Sequence, residues 1–482
     1  MPTADSNFDP YALSPDAVQE PPPTLGQALR KIGPGLILAG SIVGTGELIA
    51  TTNTGAKAGF ALLWLVLLSC FIKVFVQIEL GRQAMSSGET TLTSFRRLPG
   101  PGMLLVWWWF IMMVVTQTQL GAMVGGVGQA FHLALPAVSG WIAEQAGRLS
   151  PEAAAYLIRR PDLPWAALTA VSAAALLATG SYRVVEWGST LLVVIFTLMT
   201  VACVLLLPAT EHAFGVAELR SGFTFHIPSE AVMAAFAMFG ITGVGASELI
   251  SYPYWCIEKG YARNVGPRDD SPDWVRRARG WMRVMFADAW VCMLVYTLAT
   301  VAFYLLGAAV LHGHTAGKGL PNNVQDMLAV LARMYEPVMG ERAATWFIVI
   351  GAFAVLYSTL FAATGANSRT LADFLRVTRF VQFANHQERL WWVRLFCTIF
   401  PFVGLLLHIV MGNPPLMVSI GGIIQAVTLP LIATAAVFMR YYRTDSRITS
   451  GLMWDVLLWL SMFGLIGAAA YGLWDSFQKL VG

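Results

Sequence analysis

Charged residues are scarce in this chain of 482 amino acids. Asp, Glu, Lys and Arg make up 12% of it, and 56% of the residues are hydrophobic, whereas a soluble globular protein carries about 25% charged residues. The apolar residues form long uninterrupted tracts and not amphipathic stripes, so they are expected to face lipid. The composition excludes soluble enzymes and nucleic-acid-binding proteins, and the net charge of +3 is too small to indicate a polyanionic partner.

Cysteine is also scarce, and it forms no motif. The five cysteines include no C-x-x-C pair, so they are predicted to be small apolar core residues. Residues 1 to 24 contain six prolines and four acidic residues but no Lys or Arg, which excludes a signal peptide or a transit peptide. Residues 1–28 are therefore predicted to be a disordered cytoplasmic tail.

Eleven apolar tracts are long enough to cross a membrane, which takes about 20 mostly apolar residues. With a cytoplasmic N-terminus, 21 of the 31 Lys and Arg residues fall on the cytoplasmic side and nine on the other side. This asymmetry predicts an all-α integral protein of a bacterial-type inner membrane, with an extracytoplasmic C-terminus. The tracts, numbered span 1 to span 11, cover approximately residues 33–53, 59–80, 103–131, 163–181, 184–207, 229–256, 284–311, 343–366, 395–411, 415–439 and 452–474.

One short motif occurs twice, at an offset of 201 residues. Span 1 contains Val43-Gly44-Thr45-Gly46-Glu47-Leu48-Ile49 and span 6 contains Val244-Gly245-Ala246-Ser247-Glu248-Leu249-Ile250, with five of seven positions identical. Because each repeat would hold five spans, an odd number, the second copy enters the membrane from the opposite side. The predicted organisation is a five-helix repeat over 29–207, an extracellular linker over 208–228, an inverted five-helix repeat over 229–439, and span 11 with the C-terminus over 440–482.

Both copies combine glycines with a glutamate at mid-span. Each glycine lowers helix propensity by about 1 kcal/mol relative to alanine, so interruptions are predicted around Gly44–Gly46 and Gly243–Ala246. A carboxylate at mid-membrane costs about 2.5 kcal/mol or more, so two at matching positions indicate a function. Interrupted spans at corresponding positions of inverted halves point to a transporter's substrate site. Glycine spacing alone, for example Gly40-x-x-x-Gly44, also fits close helix packing, whereas Gly240 is expected to contribute to the break of span 6.

The chain resembles the Nramp family of divalent-metal transporters. The likeness lies in Gly33-Pro34-Gly35, in the break motif that follows, and in Gly55-Ala56-Lys57-Ala58-Gly59-Phe60. It extends to Gln77 in span 2 and to Gln425 with Leu429-Pro430 in span 10. The resemblance implies a LeuT-like 5+5 inverted repeat of eleven transmembrane helices with discontinuous helices 1 and 6.

The metal-binding motifs of that family are absent. Where the family has Asp-Pro-Gly-Asn in helix 1 and Met-Pro-His-Asn in helix 6, this chain has Gly44-Thr45-Gly46-Glu47 and Gly245-Ala246-Ser247-Glu248. Without a thioether, the predicted site offers only oxygen ligands, which suit hard cations. Span 3 has no acidic residue between Gly102 and Gly140, where the family has a proton route, and this argues against proton coupling.

The sequence predicts a substrate site built from both breaks and from span 10. Glu47 and Glu248 are expected to supply anionic oxygens to a metal ion, Thr45 and Ser247 to supply hydroxyls, and Gln425 to close the site. Backbone carbonyls near the glycines add neutral ligands. The predicted set is Gly44, Thr45, Gly46, Glu47, Gly245, Ala246, Ser247, Glu248 and Gln425.

Lys73 lies well inside span 2, and its partner is left open. It either neutralises Glu47 or Glu248, and so modulates the charge of the site, or it pairs with Asp288 or Glu79 elsewhere.

We expect a secondary transporter that moves a hard divalent cation of the Mg²⁺ or Mn²⁺ class by alternating access, with no resident cofactor. One alternative is a LeuT-fold transporter of a small organic or zwitterionic solute, because fold does not settle substrate. Another is a receptor or scaffold that does not transport. No nucleophile with a base and an orienting group occurs in a plausible register, so an enzyme is not expected. The expected partners are membrane lipids and the transported ion or solute, and the sequence indicates no protein partner.

Overall fold

The structure, a computed structural model, describes residues 11–35, 43–179, 183–322 and 326–481. Every regular element in these ranges is a helix. Nine helices are long and apolar enough to cross a membrane, or ten if the bent pair Pro151–Arg159 and Leu163–Ala178 is one span. The all-α membrane fold is thus confirmed, but the count of eleven is not. The stretch Gly46–Ser87 counts once, although it covers the second part of predicted span 1 and all of span 2.

Apart from spans 1 and 6, each predicted span corresponds to one helix. Their bounds are Leu63–Ser87 for span 2, Gly102–Ala134 for span 3, Leu163–Thr179 for span 4, Arg183–Leu206 for span 5, Pro272–Leu306 for span 7, Glu341–Val377 for span 8, His386–Met411 for span 9, Pro414–Tyr442 for span 10 and Leu452–Val481 for span 11.

Span 6 is interrupted at its centre. Its first half, span 6a, is the helix Val232–Ile241, and its second half, span 6b, is the helix Ala246–Glu258. The four residues between them are not helical, and Gly243 has φ +63°, which is the left-handed region that favours glycine. The predicted break therefore lies at Thr242–Gly245, and Ala246 already begins span 6b.

Within the described residues of span 1, helix begins earlier than the motif predicts. Val43 and Gly44 form a turn, and a π-helical segment then runs over Gly46–Thr51 into the helix Thr52–Ala58. We call these two segments span 1b. Thr45 and Gly46, which were expected to be non-helical, are thus already helical, and residues 36–42, which include Gly40, lie outside the described residues.

The interrupted spans occupy the centre of the helix bundle. Of the most apolar window of span 6, 83% is buried, against 28% for the windows in spans 5 and 9. The outer helices therefore expose most of the apolar surface, and spans 1b and 6 are surrounded by protein.

Gly240 lies outside the break of span 6, and close packing between two helices explains why a glycine occurs there. Gly240 is within the helix of span 6a, and a Cβ atom there would lie 1.9 Å from the carbonyl oxygen of Gly422 in span 10. Conversely, a Cβ at Gly422 would lie 2.3 Å from the carbonyl oxygen of Ala237. Here the packing interpretation of the glycine spacing is the correct one.

The N-terminal segment from Tyr11 onward is packed against the protein and not disordered as predicted. The Tyr11 hydroxyl donates to Oε1 of Glu258 at 2.7 Å. The Gln19 amide donates to the Asn264 carbonyl at 3.0 Å, and its carbonyl accepts from Nε1 of Trp281 at 2.9 Å. Aromatic and backbone contacts hold the segment, which composition alone does not reveal. Residues 1–10 of the predicted tail lie outside the described residues.

We expect Gly240→Ala to lower the melting temperature, because overpacking against a backbone carbonyl costs about 1–3 kcal/mol or more. Gly467→Ala in span 11 is the matched control, since nothing lies within 4 Å of its Cβ position. The control should melt at the wild-type temperature or above, because alanine is the better helix former. Thermal unfolding followed by tryptophan fluorescence measures both variants, and equal melting temperatures for them would contradict the packing argument.

Candidate functional site

A small polar cavity lies beside the two breaks. Its volume is ≈ 50 Å³, which at about 10–15 Å³ per water corresponds to roughly three to five water molecules. Its walls come from spans 1b, 3, 6, 8 and 10. The lining residues are Thr45, Gly46, Thr116, Gln119, Leu120, Met123, Ile241, Ser247, Glu248, Ser251, Trp255, Thr359, Ala362, Ala363, Ala366, Asn367 and Gln425.

The cavity brings together part of the predicted set. Thr45, Gly46, Ser247, Glu248 and Gln425 line it. The other four predicted residues lie outside its lining, and these are Gly44, Glu47, Gly245 and Ala246.

Glu248 is the one ionisable residue among those that line the cavity. It lies in the first turn of span 6b and folds back toward the break, so that a Cβ at Gly245 would lie 2.6 Å from its Oε2. A carboxylate in the first turn of a helix is stabilised by the unpaired N–H groups there. The remaining polar lining is neutral, so the cavity has at most one negative charge.

Glu47 does not face this cavity, although the repeat predicts that it does. Its side chain is fully buried. Oε1 accepts a hydrogen bond from Oγ1 of Thr300 in span 7 at 3.0 Å, and Oε2 accepts one from the Gly44 amide at 3.4 Å. The carboxylate therefore holds the break of span 1 against span 7, and the prediction that both glutamates share one cavity is wrong for Glu47.

Gln425 connects the beginning of span 6b to span 3. Its Oε1 accepts from the Ser247 amide at 3.0 Å, and its Nε2 donates to Oε1 of Gln119 at 3.2 Å. The first N–H groups of a helix have no partner within the helix. Gln425 supplies that partner for Ser247 and forms part of the cavity wall at the same time.

Gly44 permits close contact between the break of span 1 and span 8. A Cβ atom at Gly44 would lie 2.3 Å from Oγ1 of Thr359, which lines the cavity. Larger residues than glycine cannot occupy this position unless span 8 moves. Gly44 thus contributes by its small size and not as a lining residue.

Spans 3 and 8 contribute polar residues that the sequence analysis missed. Thr116 and Gln119 come from span 3, and Thr359 and Asn367 from span 8. On each helix the lining residues recur every three or four positions, which is the spacing of one helix face. Uncharged polar residues that recur on one face of an apolar span are the sequence signal for these positions.

Met123 corrects a second prediction. The sequence analysis expected a site without a thioether, but this methionine of span 3 lines the cavity. It lies four residues after Gln119 and so on the same face of the helix. The site therefore includes one soft side chain, supplied by a different helix from the one that carries methionine in the family motif.

Lys73 has hydrogen-bond partners that the sequence did not indicate. It does not line the cavity. Its Nζ donates to the carbonyl oxygen of Thr242 at 2.8 Å and to that of Phe239, both at the end of span 6a. Pairing with Asp288 or Glu79, one of the two predicted alternatives, is therefore wrong.

Asp288 instead binds the beginning of span 1. Its two carboxylate oxygens accept from the amides of Gly33 and Gly35 at 2.9 and 2.6 Å, and Oδ2 also accepts from the Tyr252 hydroxyl at 3.1 Å. Spans 1, 6b and 7 are joined at this point, on the same side of the cavity as the N-terminal segment.

Within the described ranges, no group of three or more His, Cys, Asp or Glu side chains is placed to hold a metal ion. A metal ion in the cavity would instead have one carboxylate, from Glu248, together with hydroxyl and amide oxygens. Such oxygens are ligands of hard cations.

Comparisons with known proteins identify related chains and folds. A family model described as "Nramp: Natural resistance-associated macrophage protein-like" matches residues 35–475. "Uncharacterized protein PM0681" of Pasteurella multocida (strain Pm70) is 23% identical over 476 residues, which are 98% of this chain and 97% of that protein.

Two solved structures are similar in fold. The Eremococcus coleocola manganese transporter, in complex with an aromatic bis-isothiourea substituted compound, has a TM-score of 0.63 at 13% identity, with 96% of this chain and 90% of that chain covered. MhsT in complex with L-phenylalanine has a TM-score of 0.56 at 16% identity, with 95% and 99% covered. These likenesses confirm the predicted LeuT-like fold.

We expect Gln425→Leu to lower the melting temperature, because it removes the hydrogen-bond partner of the part-buried Ser247 amide, and loss of such a partner costs up to about 1–3 kcal/mol. Gln77→Leu is the matched control. Gln77 is also fully buried in a span, but its side-chain amide has no hydrogen-bond partner among the described residues. Thermal unfolding should therefore distinguish the two variants, and an equal loss in both would refute the proposed role of Gln425.

Proposed function

The chain belongs to the Nramp family, and on this premise we propose that it is a secondary transporter that moves a small divalent cation, of the Mg²⁺ or Mn²⁺ class, through the polar cavity. The observation that carries the proposal is the cavity itself, with its small volume, its single carboxylate and its neutral oxygens. The name of the manganese transporter that shares the fold also supports a metal ion as the substrate.

The volume of the cavity favours an ion over an organic solute. Pockets for organic ligands occupy about 300–1,000 Å³, whereas this cavity measures ≈ 50 Å³. A cation with part of its hydration shell fits such a space, and Mg²⁺ in particular retains several waters when bound by proteins. An amino acid would require the surrounding helices to move apart.

The chemistry of the lining favours a hard cation. Glu248 supplies the charge, and Thr45 and Ser247 can supply hydroxyl oxygens from the two breaks. Gln119 and Asn367 add amide oxygens from spans 3 and 8. A hydrated divalent ion needs only a few such protein oxygens, since water completes its coordination.

Alternating access would require the contacts on one side of the cavity to open. Asp288 joins span 1 to span 7 on the side of the N-terminus. At the end of span 6b, Glu258 accepts hydrogen bonds from Tyr11 and from Nε of Arg369 at 2.7 and 3.0 Å. Under the predicted orientation these contacts close the cytoplasmic side, so an ion could leave to the cytoplasm only after they separate.

We expect Glu248→Gln to weaken Mn²⁺ binding at least about tenfold, which corresponds to roughly 1.4 kcal/mol, because the variant keeps the shape but removes the charge that faces the cavity. Glu47→Gln is the matched control, since its carboxylate is buried outside the cavity lining and bonded to Thr300 and Gly44. Its effect on affinity should be smaller. Calorimetry and uptake into proteoliposomes measure both variants.

The same measurements test the proposed substrate class. Mg²⁺, Mn²⁺ and Ca²⁺ are titrated beside a set of amino acids into the wild-type protein. Unchanged Mn²⁺ uptake in both Glu→Gln variants would end the cation proposal, and heat released on binding an amino acid would favour the organic solute.

Met123→Leu should lower the affinity for Cd²⁺ but change that for Mg²⁺ and Mn²⁺ little, because a thioether rewards soft metals and contributes little to hard ones. Met112→Leu is the control, since Met112 lies on the same span and is buried outside the cavity lining. Competition between Cd²⁺ and Mn²⁺ during uptake measures the difference. An equal loss of affinity for all three ions would show that Met123 acts through packing.

A further inference from the structure

We propose that the Lys73 side chain is a built-in cation of the span 6 break, and that it occupies the place where a monovalent cation would otherwise neutralise the carbonyl groups there. This inference goes beyond the proposed function, because it concerns a site outside the polar cavity and does not depend on which substrate passes through that cavity.

The end of span 6a creates the need for a cation. The last carbonyl groups of a helix have no partner within the helix, and they carry the negative end of its dipole. Span 6a ends at Ile241, close to the middle of the predicted span. Phe239 and Thr242 are buried, so the carbonyl groups here depend on the protein for their partners.

Lys73 provides those partners from span 2. Its Nζ donates to the carbonyl oxygens of Phe239 and Thr242, the second at 2.8 Å. It also lies 4.9 Å from the centroid of the Phe239 ring, within the range of a cation–π interaction. The side chain is fully buried. Its ammonium thus rests on two carbonyl oxygens and an aromatic face.

Further oxygen atoms surround the same point. Oγ of Ser69, one turn earlier in span 2, lies 3.4 Å from both carbonyl oxygens and 3.2 Å from Oγ1 of Thr242. Carbonyl and hydroxyl oxygens of this kind are ligands of hard cations. In transporters with interrupted helices, unwound carbonyls and the C-terminal ends of half-helices coordinate Na⁺ or H⁺. Here the protein supplies the cation itself.

The charges of the two breaks favour a cation at this position. Lys73 interacts electrostatically with both Glu47 and Glu248. A tethered ammonium partly offsets these two buried carboxylates, and unlike a dissolved ion it cannot leave during transport. The consequence is a protein whose stability and activity do not require Na⁺.

Lys73→Ala tests the proposal, because it removes the ammonium and leaves space for a small cation. Melting temperatures of the full-length protein in detergent are compared in N-methylglucamine, Na⁺ and methylammonium chloride at equal ionic strength. The wild type should melt alike in all three salts. The variant should lose about 3 °C or more in N-methylglucamine, and Na⁺ or methylammonium should restore at least half of that loss.

Two further variants separate this role from simple packing. Lys73→Met fills the space without a donor, so it should lose stability that no salt restores. Lys479→Ala removes an exposed lysine and should respond to none of the salts. A Lys73→Ala protein that melts like the wild type, or that no cation stabilises, would overturn the proposal.

If neither Lys73 variant can be purified, the salt dependence of the wild-type protein tests the proposal. Mn²⁺ uptake and a melting temperature that do not change between Na⁺ and N-methylglucamine would support a built-in cation, and a requirement for Na⁺ would refute it. Should the wild type transport no divalent cation at all, the proposed function fails, but the melting temperatures still test the role of Lys73.

Discussion

Helix ends that lie inside an apolar bundle, at the interruption of span 6 and at the start of span 1b, leave backbone N–H and C=O groups without partners. The polar contacts of these segments follow from that constraint. A buried backbone group that lacks a hydrogen bond costs about 1–3 kcal/mol. Lys73 donates to a carbonyl oxygen at the end of span 6a, and Gln425 accepts from an amide at the beginning of span 6b. Glu47 accepts from the Gly44 amide at the break of span 1. Each polar side chain thus has a structural task before it has any part in transport.

Glycine serves a complementary purpose, because the breaks must lie against neighbouring helices without a gap. Gly44 brings the break of span 1 against Thr359 of span 8, and Gly240 brings span 6a against Gly422 of span 10. Both contacts exclude a Cβ atom. The helices therefore approach one another closely at both glycines, which is consistent with the small volume of the cavity.

The sequence predicts those parts of the fold that follow from the order of apolar residues, glycines and glutamates along the chain. Long apolar tracts indicated the membrane helices, and the repeated Gly and Glu motif indicated where span 6 is interrupted. Glu248 and Gln425, two of the predicted site residues, both line the cavity. The family resemblance was likewise confirmed over residues 35–475.

Other features depend on the direction in which a side chain points, and pattern does not determine that. Glu47 follows the start of a π-helical segment, whose turn is wider than that of an α-helix, so its carboxylate faces span 7. Lys73 finds carbonyl groups that exist only because span 6a ends there. Met123 shows no signal in composition, since methionine is common throughout the apolar spans.

The identical glutamates of the repeat therefore perform different tasks, and the charge balance of the centre gives a reason for it. With both carboxylates ionised and Lys73 protonated, the two breaks together carry one negative charge. A divalent cation in the cavity changes this to one positive charge, so the loaded and the empty centre differ in sign but not in magnitude. The cost of a buried net charge rises with its magnitude. Without Lys73 the empty centre would carry two negative charges and the loaded centre none, so the empty transporter would meet the larger electrostatic barrier. Under the proposed function, and with these ionisation states, a built-in cation would make the return of the empty protein about as accessible as the passage of the loaded one.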